Sequence, residues 1–110
     1  MANKKSFNVF KRNTSLLEFL KSRKGEENIA SASDIHKWLN DNGYSIKLSS
    51  INMLVKSLMY EYNAPICYTD TKGYYWAKNR SEIEKTILDL ESRRTALDDH
   101  IKHLKNFIID

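Results

Sequence analysis

The sequence predicts an α+β fold that is mostly α: three helices, then a β-hairpin, then a long C-terminal helix. Three observations carry this expectation. Apolar residues recur at steps of three and four in four separate stretches, two short aromatic and β-branched runs follow Pro65, and the three glycines stand at the breaks between stretches. With 110 residues and 41% hydrophobic composition, the chain has material for one compact core plus an appendage, and too little for two independent domains.

Residues 1–13 hold Lys4, Lys5, Lys11 and Arg12 with no acid and no apolar period, and read as a flexible basic arm. Asn13-Thr14 then offers a capping oxygen ahead of Leu16, Leu17, Phe19 and Leu20, so a first helix is expected to start there and to end near Lys24-Gly25. Ile29 and Ala30 form a short extended link. Ser31 or Ser33 can cap the second helix, in which Ile35, Trp38 and Leu39 share a face, and Asn42-Gly43 stops it. Residues 44–47 are too few for another element and lead to a capping site at Ser49-Ser50. The third helix, 49–62, is expected to bury Ile51, Leu54, Val55, Leu58 and Tyr62 and to turn Ser50, Asn52, Met53, Lys56, Ser57 and Tyr60 outward. Two helices meeting across a short glycine-containing turn, the second with a small polar outer face, form a helix-turn-helix arrangement.

Pro65 blocks helical continuation. The runs Ile66-Cys67-Tyr68-Thr69 and Gly73-Tyr74-Tyr75-Trp76-Ala77 predict a two-stranded hairpin with Asp70-Thr71-Lys72 at its polar tip. Strand alternation sets Tyr75 opposite to Tyr74 and Trp76, and packing against Phe19, Trp38 and Tyr62 accounts for most of the aromatic cluster. The single cysteine, Cys67, reads as a small buried hydrophobe in a strand.

The last segment, 81–110, opens on Ser81-Glu82-Ile83-Glu84, a capping-box pattern, so a helix is expected to begin there. Its apolar residues fall on heptad positions: Ile87, Arg94, Ile101 and Ile108 at a, and Ile83, Leu90, Leu97 and Leu104 at d. A repeat of about 3.5 residues held over more than three heptads favours a helix-on-helix seam, and hence a homodimer, over a face laid on a globular core. Fold-back onto the chain's own domain is the alternative, and Arg94 fits either. Parallel pairing would set Arg93 against the partner's Asp98, a favourable contact, but His100 against Lys105, so orientation stays open.

Composition and spacing exclude several function classes. No apolar run reaches the ~20 residues of a membrane helix, and the N-terminal residues lack a secretory signal pattern, so a cytoplasmic protein without a membrane partner is expected. Gly25, Gly43 and Gly73 are isolated, so no phosphate loop exists. His100 and His103 lie three apart beside Asp99, too few ligands to predict a metal, and no nucleophile, base and acid group together. Neither an enzyme nor a cofactor nor a small-molecule substrate is expected.

The formal net charge is +4, but it is unevenly placed: residues 1–24 carry +6 and residues 66–80 carry +2, while the rest is acidic. That distribution suits a polyanion. In a helix-turn-helix the start of the second helix meets the major groove, here Ser49, Ser50, Asn52, Met53 and Lys56. Asn52 suits an adenine edge, Lys56 a guanine or a phosphate, and the serines phosphate oxygens. Lys47 precedes the helix and Lys72 tips the hairpin, while Lys4, Lys5, Lys11 and Arg12 can follow the backbone and supply salt-sensitive affinity.

Over residues 14–80 the order of elements resembles the winged helix-turn-helix superfamily. The segment from Pro65-Ile66 to Gly73-Tyr74-Tyr75-Trp76-Ala77, with a long charged helix after Ser81, resembles small winged-helix proteins encoded by bacteriophages and prophages. The resemblance implies duplex DNA binding through 49–62 and the wing, as a dimer, in transcriptional control or phage DNA metabolism within a bacterial host's cytoplasm. The outward helix face departs from strongly DNA-binding relatives in holding one Lys and no Arg. A protein-interaction module, acting as adaptor or inhibitor of a host, phage or replication protein, and a replication-associated DNA-binding factor are the alternatives.

Overall fold

The computed structural model describes residues 4–69 and 72–108, with side chains from Asn8 onward. It is α+β and mostly helical, with one two-stranded antiparallel sheet and a long C-terminal helix.

Helix α1 (Lys4–Lys21) contains neither glycine nor proline, so nothing in residues 4–13 interrupts it. The Thr14 hydroxyl donates back to the carbonyls of Phe10 at 3.0 Å and Lys11 at 3.2 Å, as a hydroxyl inside a helix does. The helix start expected at Asn13-Thr14 is therefore corrected: Lys11, Arg12 and Asn13 are interior helical positions. These first turns present no apolar stripe, and a reading keyed to burial passes over them. The helix ends at Lys21, slightly before the expected Lys24-Gly25.

The chain then leans against the hairpin. Trp76 N–H donates to Arg23 O at 2.9 Å and Gly25 N–H to Trp76 O at 2.8 Å, while Ala30 and Tyr74 exchange bonds of 2.7 and 2.8 Å. Gly73 sits at φ 132°, and a Cβ there would lie 2.2 Å from the Ala30 carbonyl, so this approach requires glycine. Helix α2 (Ala32–Asp41) starts in a capping box in which the Ser31 hydroxyl accepts from Asp34 N–H, and the Asp34 carboxylate from Ser31 N–H, both at 3.0 Å. Those bonds hold the Asp34 carboxyl below its usual range.

After a 3₁₀ turn at Leu48–Ser50 comes α3 (Ile51–Glu61), which buries Ile51, Val55 and Leu58. Ser50 occupies the cap position without a side-chain bond, so its expected capping role is not made. Strands β1 (Ile66–Thr69) and β2 (Gly73–Trp76) pair in register Ile66↔Trp76, Cys67↔Tyr75, Tyr68↔Tyr74 and Thr69↔Gly73. Tyr74 joins the core formed by α1, α2 and α3 with Leu16, Leu20, Ile35, Leu39, Val55 and Leu58. Phe19 and Trp38 stack at 5.0 Å beside it. Tyr75 takes the opposite sheet face, where its hydroxyl meets Thr86, and Cys67 is buried there too.

Helix α4 (Arg80–Lys105) begins one residue before the expected site. Asn79 caps it by accepting from Glu82 N–H at 3.0 Å, and Glu84 pairs instead with Arg80 at 2.5 Å, so the expected Ser81/Glu84 box is not formed. Glu82 is buried and accepts from Glu26 N–H at 2.8 Å and Lys78 N–H at 2.9 Å. Ion pairs Lys85–Glu26 at 2.7 Å and Lys78–Glu27 at 2.9 Å flank this anchor. Beyond it the stripe Ile83, Ile87, Leu90, Leu97, Ile101, Leu104 and Ile108 lies 37–80% exposed, and Arg94 is exposed with it. The helix does not fold back over this face. Among the described residues no helix is long and apolar enough to cross a membrane.

Candidate nucleic-acid interface

Four elements that are distant in sequence enclose one cleft of about 480 Å³. The N-terminal turn of α2 contributes Ser31 and Ser33, the outer face of α3 contributes Asn52 and Lys56, and the hairpin contributes Tyr68, Lys72 and Tyr74. Arg93 of α4 closes one side. Lys56, Lys72 and Arg93 give the cleft its charge, and no carboxylate lines it among the described residues.

Side chains within the cleft are oriented by one another. The Tyr74 hydroxyl donates to Asn52 Oδ1, and burial, then the neighbouring Tyr68, pushes that hydroxyl above its usual range, keeping it a neutral donor at physiological pH. Asn52 is thus turned toward the hairpin, with one amide oxygen lone pair engaged. The Tyr68 and Tyr74 rings lie 6.0 Å apart, and the Arg93 guanidinium stands 5.8 Å from the Tyr68 centroid while pairing with Asp89 at 2.5 Å. At the hairpin tip, Lys72 N–H donates to Thr69 Oγ1 at 3.0 Å, which fixes where the Lys72 side chain departs.

The sequence-predicted residues divide between several places. Asn52, Lys56 and Lys72 come together in the cleft. Ser50, Met53 and Arg12 line a separate, mostly apolar groove of about 250 Å³ with Ile46 and Leu54, so Ser50 and Met53 are not beside Lys72. Lys47 and Ser49 are exposed at the turn before α3, and Lys11 is exposed on α1. The side chains of Lys4 and Lys5 lie outside the described residues, as do Asp70 and Thr71 of the hairpin tip. Arg93, Ser31 and Ser33 were missed by sequence reasoning. The serines read as caps and Arg93 as a heptad-flanking residue, and only folding carries them to one cleft.

Chemically, lysine ammonium groups, serine hydroxyls and the amides at the start of α2 that the capping box leaves over can donate to phosphate oxygens in the cleft. Among the described residues no three His, Cys, Asp or Glu side chains are placed to hold a metal ion. Compared with family models, with curated proteins and with solved structures, the chain matches none.

Proposed function

We propose that this chain is a winged helix-turn-helix protein that binds duplex DNA through α3 and the hairpin, as a homodimer joined along α4, in transcriptional control of the phage type. The observation that carries the reading is the cleft joining Lys56, Lys72 and Arg93, with no lining carboxylate among the described residues. In this reading α3 approaches the major groove, the hairpin is the wing, and Lys72 follows a phosphate. Lys47, Lys11 and Arg12 extend the positive surface along the backbone. The single lysine on the outer face of α3 suits backbone contact more than extensive base reading.

A gel-shift titration with random-sequence duplex at two salt concentrations tests it. Three phosphate contacts per subunit make six in a dimer, so affinity should fall about a thousandfold between about 50 and about 200 mM salt. Lys56→Glu and Lys72→Glu should each abolish the shift, and retention indifferent to salt would overturn the reading.

A second reading, an adaptor or inhibitor module, is favoured by Met53, 75% exposed beside the apolar groove on α3. It is supported instead if both lysine reversals leave the protein active while Leu97→Asp inactivates it.

A further inference from the structure

We infer that the α4 stripe is covered by a second copy of this chain running antiparallel, with Phe107 of each copy seated in a cleft between the other's hairpin and α4. This rests on the dimer part of the proposed function and is independent of DNA binding.

Three observations select the orientation. The first is layer composition. In an antiparallel pair with its dyad between Arg94 and Leu97, Ile87 faces Leu104 and Leu90 faces Ile101, and Ile83 meets the 3₁₀ turn Asn106–Ile108 that follows α4, so every apolar member of the stripe but one meets apolar side chains. The exception is Leu97, which faces Arg94. A parallel pair would place the two Arg94 guanidinium groups in one layer, a like-charge contact in a seam that excludes water. Antiparallel pairing separates them, and Glu91 and Asp98 of both copies lie on the flank where their side chains emerge.

The second is the state of Arg93. Its contact with the partner's Asp98 is the charge pair that favours a parallel dimer, but Arg93 already pairs with Asp89 at 2.5 Å and stands over the Tyr68 ring of its own chain. Reaching across a parallel seam would break both contacts.

The third is a fit between an exposed ring and a small cleft. Phe107 is 74% exposed, its ring touched edge-on by His103 of the same chain at 5.3 Å and otherwise open. Beside Thr86, adjoining the DNA-facing cleft and sharing Tyr68 and Arg93 with it, lies a small, mostly apolar cleft of about 210 Å³ lined by Tyr68, Tyr75, Thr86 and the ion-paired Lys85–Glu26 and Arg93–Asp89. The antiparallel register brings the 3₁₀ turn Asn106–Ile108 of one copy, and Phe107 with it, to the end of α4 that carries Thr86 in the other. A parallel register leaves Phe107 at the far end of the seam, away from both clefts. The antiparallel dimer therefore covers the stripe, fills the cleft and projects its two DNA-binding heads from opposite ends.

Disulfide trapping in the full chain tests this, with Cys67→Ser as background. Leu90→Cys and Ile101→Cys are prepared separately, then oxidised alone or after co-refolding. Antiparallel pairing predicts a crosslink only in the mixture, because Leu90 faces Ile101 of the other copy and not itself. Self-crosslinking by either variant alone overturns the orientation while leaving the dimer reading standing. Sedimentation of the unmodified chain as a monomer at tens of micromolar overturns both. Phe107→Ala should weaken dimerisation by about tenfold to a hundredfold, whereas Leu88→Ala, off the seam, should leave it unchanged. Equal affinities for the Phe107→Ala variant and the parent would remove Phe107 from the interface.

Discussion

Leu20 and Leu97 are the same side chain, each on a helix with apolar residues at steps of three and four, yet one is 0% exposed and the other 61%. The head closes its core within one chain: α1, α2, α3 and the hairpin each supply a face that another covers. The far part of α4 has a face of similar chemistry, and nothing among the described residues covers it. Helical periodicity shows that a face will be buried and is silent about whose atoms bury it.

Five substitutions break or sharpen that contrast, starting with the largest effect. Leu39→Ala should cost about 2–5 kcal/mol of unfolding free energy, read by denaturant titration, because it leaves a cavity in the closed core. Leu97→Ala in the same assay should act through association, so that its effect shrinks as protein concentration is lowered. Equal, concentration-independent losses at the two leucines would erase the distinction. Next, Gly73→Ala should cost about 3 kcal/mol by thermal unfolding, since a side chain at that φ would press on the Ala30 carbonyl.

Asn79→Ala tests the junction between the two regions. Losing the cap should cost about 1 kcal/mol and fray the start of α4, read as faster amide exchange at Glu82.

The smallest effect is in pH. The Asp34 carboxyl is lowered by its bonds to Ser31, so folding gains from its ionised form above the unfolded value near 4, and that gain is lost as pH falls through the lower folded value. Asp34→Asn should flatten the acid limb of the stability curve slightly, solvent screening keeping the change small. At the junction Glu27 is likewise lowered by Lys78, while Lys78 and Lys85 are raised by their glutamate partners, so those contacts weaken in strong acid and again in strong base. Parallel acid limbs for the Asp34→Asn variant and the parent would show that the cap contributes nothing to acid stability.

Much of the head was legible beforehand. The faces of α2 and α3, the stop at Asn42-Gly43, the hairpin runs and the opposed facing of Tyr74 and Tyr75 follow from local period and turn chemistry. Caps were less reliable. Ser31 caps as expected, but Asn79 rather than Ser81 starts α4, because several oxygen-bearing residues in succession can all serve and the choice depends on where Glu82 is anchored. The N-terminal turns of α1 were misread for lack of an apolar stripe.

The sequence by itself determined the order of elements, the buried face of each and the existence of an unsatisfied apolar stripe, since these depend on neighbours three or four residues apart. Only the tertiary structure decided that Lys56, Lys72 and Arg93 line one cleft, that Ser50 and Met53 belong to a different groove, and that α4 leaves its stripe in the open. Those outcomes depend on how helices lean on one another across dozens of residues. A side chain's chemistry does not encode that distance, and packing does.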